Sequence, residues 1–269
     1  MESFTISAVI LRETQYKDND AILTLLTAEK GIISALARGV LNIKSKNRSA
    51  LQLFCYSELE IQTSGKQYFI KTATLKEQFY NVRNNMENFA LACYVSDTAC
   101  AFCTSESDET DAYRVVLNTL YALNRTQVTD KPIWLIKAAY ELKLCSVCGF
   151  MPDLSTCAVC GCDVENNSDE SKKTNNKYMF SLNESSLICN VCFEKEKAKG
   201  NVHTCLKLTS SSLLAAKYIC TSPIERFMSF KLTDDHSTFL CDFCEKYLLF
   251  FAERGFDTLK YYKSLINNN

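Results

Sequence analysis

At 269 residues, 47% hydrophobic and 23% charged, the chain can bury a sizeable core, and its composition excludes a disordered or fibrous protein. With 30 basic and 31 acidic residues the overall balance predicts no charged partner, so any such partner must meet a local patch. Seven glycines and three prolines are too few for an all-β protein full of tight turns, which favours two packed units with most of the length helical.

The amino terminus reads MESFTISAVILRETQY, with an acid at position two and no basic segment ahead of an apolar stretch, so a secretory signal is not expected. No run approaches the roughly 18 apolar residues that a membrane span requires. The odd count of 15 cysteines in a chain of this length points to a reducing, cytoplasmic setting. Metal binding and simple burial are left to explain them.

Five short β-type segments open the chain: Ile6 to Thr14, Ala21 to Thr27, Ile32 to Arg38, Ser57 to Thr63 and Tyr68 to Ala73. Ala28-Glu29-Lys30-Gly31 and Ser64-Gly65-Lys66-Gln67 read as hairpin connections, each with a glycine where a positive φ is needed. The long Gly39 to Tyr56 link falls between strands three and four, where a five-stranded OB barrel carries its long connection. Between Lys30 and Lys76 stand eight basic residues and two acids, a surplus of six. Acids gather elsewhere, in SESDETD and DVENNSDE. A basic barrel on a neutral body is the pattern of a nucleic-acid-binding module.

After Thr74 the apolar period becomes helical, predicting helices near 76–89, 90–104, 109–124 and 131–148, then 210–220 behind Thr209 and 238–254 before Gly255. Asp130 and Pro132 suit the start of the fourth helix, and Ile133, Ile136, Tyr140, Leu144 and Val147 share one of its faces. In the last helix Leu240, Phe243, Tyr247 and Phe251 are expected inside. The polar stretch 166–177 cannot form a core and reads as an exposed loop. The class is therefore α+β: an OB-fold nucleic-acid-binding domain over 1–80, then a helical domain over 81–269 with a zinc-binding module at about 150–200.

Structural zinc takes four thiolates, commonly from two Cys-x-x-Cys turns. The pairs Cys100/Cys103, Cys145/Cys148 and Cys241/Cys244 lie in predicted helices, where cysteine is a small buried apolar residue. Cys157-Ala-Val-Cys160 follows Pro152 in a loop, and Cys189-Asn-Val-Cys192 follows strand-like Tyr178 to Phe180 and Leu187-Ile188. Cys157, Cys160, Cys189 and Cys192 therefore form the expected ligand set for one structural Zn2+. A rival set of Cys145, Cys148, Cys157 and Cys160 would unwind the last turn of a well-patterned helix, and Cys162 stands close enough to replace Cys160. Only His203 and His236 exist, neither at motif spacing from a cysteine or glutamate. No phosphate-binding glycine loop or nucleophile elbow is present, so neither an enzyme nor a small-molecule substrate is expected.

OB barrels hold single strands through a basic groove and through aromatics on which bases stack. The candidates are Arg38 at the end of strand three, Lys44, Lys46 and Arg48 in the long connection, and Lys66, Tyr68 and Lys71 on the last hairpin. Adjacent strand residues face opposite ways, and Phe69 is expected in the core with Tyr68 outside.

The run AVILRETQYKDNDAILTLLTAEKGIISALARGVLNIKSKNRSALQLF resembles the amino-terminal barrel of RecO recombination mediators. AYELKLCSVCGFMPDLSTCAVCG is similar to that family's helix entering its zinc knuckle, and FLCDFCEKYLLFFAERGFDTLKYYKSL to its closing helix. The resemblance implies a non-enzymatic, nucleoid-associated DNA-repair protein of the RecF pathway. Such a protein binds single- and double-stranded DNA, anneals complementary strands and, with RecR, loads RecA on strands coated by single-stranded-DNA-binding protein. It also places Cys157, Cys160, Cys189 and Cys192 at zinc-ligand positions and Cys145 and Cys148 at helix-core positions. After Ala37-Arg38-Gly39 the family tends to carry more basic residues than the Val40-Leu41-Asn42 found here. A zinc-ribbon scaffold that binds only protein is the reading from a different class.

Overall fold

The computed structural model describes residues 2–126, 128–129, 131–164, 177–198 and 204–266. Two compact units emerge, one made of residues 1–133 and 255–269 and the other of residues 134–254. The boundary expected near residue 80 separates the barrel from the first helices, whereas compactness keeps three of these helices and the last one with the barrel.

The first unit begins with β1 (Ser3–Tyr16), β2 (Asp20–Thr27), β3 (Gly31–Ala37), β4 (Tyr56–Ser64) and β5 (Gln67–Glu77). They close into a barrel in the order β1-β2-β3-β5-β4, with β3 and β5 parallel and the other pairs antiparallel, the OB-fold arrangement. Alternation makes the core: Ile6, Ala8, Ile10, Leu23, Leu25, Ile33, Ala35, Leu59, Ile61 and Ile70 all point inward. Gly31 is required where it stands, since its φ is +57° and a Cβ there would lie 2.1 Å from the Thr104 carbonyl oxygen. Ile32 N–H donates to that same oxygen at 2.9 Å, which docks the 104–109 strap on the β2–β3 hairpin.

Helices α1 (Tyr80–Asn84), α2 (Met86–Phe102) and α3 (Thr110–Asn124) come next, and α8 (Asp257–Ile266) completes the unit. The helix expected at 76–89 is corrected: β5 runs on to Glu77, and only five residues of helix come after it. Asn85 then caps α2 by accepting from Asn88 N–H. Arg12 of β1 pairs with Asp97 of α2 at 2.6 Å, and Asp97 also accepts from Thr258 of α8. Tyr94 of α2 meets Phe256 edge to face at 5.8 Å. Phe54 against Phe89 and Tyr56 against Tyr113 cover the β1–β4 side of the barrel with helix.

In the second unit α4 (Ile133–Val147) is buried on every side from Leu135 to Cys145, which corrects the expectation of a single apolar face. Lys137, Glu141 and Lys143 are the reason the pattern misleads. Lys137 Nζ reaches Glu141 at 2.7 Å and Glu245 of α7 (Asp234–Ala252) at 2.9 Å. Lys143 donates to the carbonyls of Cys220 and Ser222 at 2.9 and 2.7 Å. Burial alone would lower the Lys137 pKa, but the two carboxylates raise it, so the ammonium stays charged inside. Gly149, at φ +91°, ends α4 in a left-handed cap with Phe150 N–H on the Cys145 carbonyl at 2.8 Å. Asp130, expected to cap the start, lies outside the described residues.

A four-stranded sheet joins this helix: β6 (Asp153–Cys157), β8 (Ser186–Ile188), β7 (Lys177–Ser181) and β9 (Cys205–Thr209), in that order. Thr209 caps α6 (Ser210–Thr221), as expected. Phe180 of β7 packs edge-on against Phe243 at 4.9 Å and Tyr247 at 5.7 Å, so the sheet shares the core of α7. Leu240, Phe243 and Tyr247 are buried, while Phe251 is half-buried against Phe150. Most of the polar stretch 166–177 lies outside the described residues.

Candidate metal centre and nucleic-acid face

β6 and β8 run parallel and side by side, so their carboxy-terminal ends, each followed by a Cys-x-x-Cys turn, arrive at one place. Ala158 N–H donates to Leu187 O at 2.8 Å and locks the first turn to β8. Gly161, at φ +69°, lets that turn close, with its N–H on Cys157 O and Cys157 N–H on Cys162 O, both at 2.8 Å. Asp153 braces the approach: its carboxylate accepts from the amides and hydroxyls of Ser155 and Thr156. Burial opposes the charge on Asp153, but these four donors outweigh it and hold its pKa at about 2. Cys189 immediately precedes α5 (Asn190–Ala198), and Cys192 sits in the first turn of that helix.

The sulfurs of Cys157, Cys160, Cys189 and Cys192 all lie within 4.8 Å of one another. Cys160 Sγ and Cys189 Sγ are 3.8 Å apart. An ion held at about 2.3 Å by four thiolates in a tetrahedron has edges of about 3.8 Å, so the set fits such an ion. Backbone amides supply the second layer. Burial works against charge on Cys157, yet the amides of Cys189, Cys160 and Val159 lower its pKa, and Cys189 N–H stands 3.3 Å from its sulfur. The Cys162 amide leads in lowering Cys160 to about 6. Burial raises Cys189 to about 11 and raises Cys192 as well.

Of the alternatives, Cys162 stands beside the group as a hydrogen-bond donor to Cys160 and is not a member of it. Cys145 stays inside α4, where burial drives its thiol pKa well up, and Cys244 behaves likewise in α7. Neither belongs with the turn cysteines. His236 lies in the first turn of α7 outside the group, and His203 falls outside the described residues.

On the barrel, Arg38, Lys44, Lys46, Arg48, Lys66 and Lys71 are exposed, and none forms an ion pair among the described residues. Of the two other cations in the basic run, Lys76 pairs with Glu58 at 3.2 Å and Lys30 lies over the Phe4 ring at 5.1 Å. The 38–55 connection is folded against the barrel. Val40, Ala50, Leu51 and Phe54 are buried in it, Gly39 N–H donates to Asp20 at 2.7 Å, and Leu41 N–H donates to Asn19 O at 3.0 Å. Asn47 clamps it to β5, donating to Lys71 O at 3.1 Å and accepting from Ala73 N–H at 3.2 Å.

The orientation expected on β5 is reversed. Ile70 belongs to the core and Tyr68, two residues earlier, takes the same side, packing on the core and meeting Phe4 edge to face at 6.2 Å. Phe69 faces outward, with the Arg38 guanidinium 5.0 Å above its ring. The missed signal was the parity set by Ile70.

An OB barrel at the amino end and, in the second unit, a four-cysteine cluster that could hold a metal ion define the class: a barrel protein with a cysteine-cluster module. Residues 1–79 match the family model for the recombination protein O N terminal region, and residues 83–260 match that for its C terminal region. The chain belongs to the RecO family. It is 26% identical over 265 residues to the protein called DNA repair protein RecO from Acetivibrio thermocellus, covering 98% of both chains. The protein of the same name from Caldanaerobacter subterraneus subsp. tengcongensis is 30% identical over 218 residues, covering 81% of this chain and 83% of its own. That from Desulforamulus reducens is 22% identical over 271 residues, covering all of this chain and 97% of the relative. No described helix is long and apolar enough to cross a membrane.

Proposed function

We propose that this chain is a DNA-repair and recombination mediator whose barrel, residues 1–80, binds single- and double-stranded DNA and anneals complementary strands. The observation that carries the reading is the set of six exposed cations with no ion-pair partner among the described residues, just after β3, in the 38–55 connection, in the β4–β5 turn and on β5. Cations on one surface draw in phosphates and lower the repulsion between two strands without reading sequence, and annealing requires no more. No bond is made or broken. Phe69, rather than Tyr68, is the aromatic on which a base stacks, because it is the one that faces outward beside Arg38.

Zn2+ is the ion that four thiolates at this spacing select, and its role is structural: four sulfurs close the coordination sphere and leave no position for water. It ties β6 to β8, and through Phe180 the sheet supports α7. Work in the cytoplasm at the nucleoid with RecR, RecA and single-stranded-DNA-binding protein completes the reading. A protein-only scaffold is favoured by one observation: Val159 and Val191, one in each metal-binding turn, are 54% and 66% exposed.

Changing Lys44, Lys46 and Arg48 together to glutamate separates the two readings. Single-stranded DNA affinity is expected to fall at least about tenfold, with the slope of log affinity against log salt reduced by about 2 and annealing slowed. Metal content and helical signal should stay as they were. Unchanged affinity and slope would move the DNA surface away from the barrel.

A further inference from the structure

We infer that Ile43 is an apolar wedge that contacts the bases of single-stranded DNA; the inference rests on the barrel being the DNA-binding module. The 38–47 segment is an arch with both feet on β5. Arg38 stands over Phe69 at one foot, and Asn47 bridges Lys71 and Ala73 at the other. The span between them is held in consecutive turns: Asn42 N–H donates to Gly39 O, Lys44 N–H to the Asn42 side chain at 3.0 Å, and Ser45 N–H to Asn42 O at 3.0 Å. Arg48 reaches back to Leu41 O at 3.0 Å.

At the crest sits Ile43, 88% exposed, while its apolar neighbours in the arch, Val40 and Leu41, pack on the barrel core. A β-branched side chain held out on a pinned turn loses little freedom on binding. The exposed Lys44, Lys46 and Arg48 stand just after it in the chain, so phosphates drawn to them bring bases to the crest. Apolar side chains beside cations wedge between base steps of a duplex and partly unstack them in other DNA-binding proteins, and the same contact is open to the bases of a single strand. The wedge would supply what the cations cannot, a contact that favours unstacked bases over a closed duplex.

The experiment uses the full chain with an oligonucleotide carrying 2-aminopurine, whose emission rises when it unstacks. The unaltered protein should brighten the probe, and Ile43→Ser should lose most of that rise and about fivefold in single-strand affinity, the low end of a base-stacking loss. The salt slope should not move, because no charge is removed. Ile43→Phe should restore both signals. Wild-type brightening and affinity in the Ile43→Ser protein would overturn the wedge and leave the barrel reading standing, whereas an unaltered chain that binds no DNA would overturn both. Unchanged DNA binding with loss of binding to purified single-stranded-DNA-binding protein would reassign Ile43 to a protein contact and also overturn the wedge.

Discussion

Two lysines of the second unit and six cations of the barrel are used in opposite ways. In the second unit Lys137 and Lys143 are buried, and each has oxygen partners within 3 Å. On the barrel six cations stand in water with no ion pair among the described residues. A buried ammonium is tolerated only when its partners replace water, and truncating one side leaves a stranded charge. Exposed, unpaired cations add nothing comparable to stability and remain available to a polyanion. The contrast teaches that buried charge in the second unit is committed to the fold, while the barrel's six exposed cations are left open to solvent.

The sharpest way to break that contrast is Lys137→Met, which leaves Glu141 and Glu245 facing each other in an apolar interior. A loss of about 3 to 5 kcal/mol in urea unfolding of the second unit is expected, with DNA affinity unchanged. Urea unfolding of the first unit in the Lys44, Lys46 and Arg48 triple variant should change by no more than about 1 kcal/mol, the size of the lost Arg48 bond to Leu41 O. Equal effects from the two variants would erase the distinction.

Cysteine sharpens the same division within one unit. Cys189→Ser should drop bound zinc from one equivalent to less than a tenth and loosen the β6–β8 pair, as read by metal analysis and amide exchange. Cys148→Ser should retain the metal, because its helix cap stands apart from the four sulfurs.

On β5 the comparison narrows to neighbours. Tyr68→Ala removes a core-side ring and should destabilise the barrel by about 2 to 3 kcal/mol. Phe69→Ala should leave stability nearly unchanged and weaken single-strand binding by about fivefold or more, measured by fluorescence anisotropy.

The smallest effect belongs to Asp153. Its pKa is depressed, so its stabilisation is fully present above the ordinary carboxylate range and is lost as pH falls from about 4 toward about 2. In Asp153→Asn that acid-dependent part of the melting profile should flatten, by circular dichroism.

How much of the fold and site was legible depends on whether the deciding contact is local. The strands of the barrel are written in their alternation, and the metal turns in their spacing, because both patterns act over a few residues. The β5 extension through Lys76 and Glu77 was hidden because Leu75, Lys76 and Glu77 have strong helix propensity, which pairing with β4 overrides. The Tyr68 and Phe69 orientation could have been read by counting back from Ile70. The all-round burial of α4 could not, since Lys137 depends on Glu245, 108 residues away. α5 and α8 were not expected as separate helices, and α8 is short enough to pass for a tail until Phe256 is seen against Tyr94.

That last contact bears on how the chain matures. The first unit is discontinuous: α8 carries Thr258 to Asp97, just after Phe256 meets Tyr94, and it leaves the ribosome only after the whole second unit has been made. The metal turns of the second unit, complete by Cys192, can close while α2 still shows water the surface that α8 will cover. In a chain that folds as it is made, Tyr94 and Asp97 of α2 would therefore wait for their partners until Phe256 and Thr258 have been synthesised.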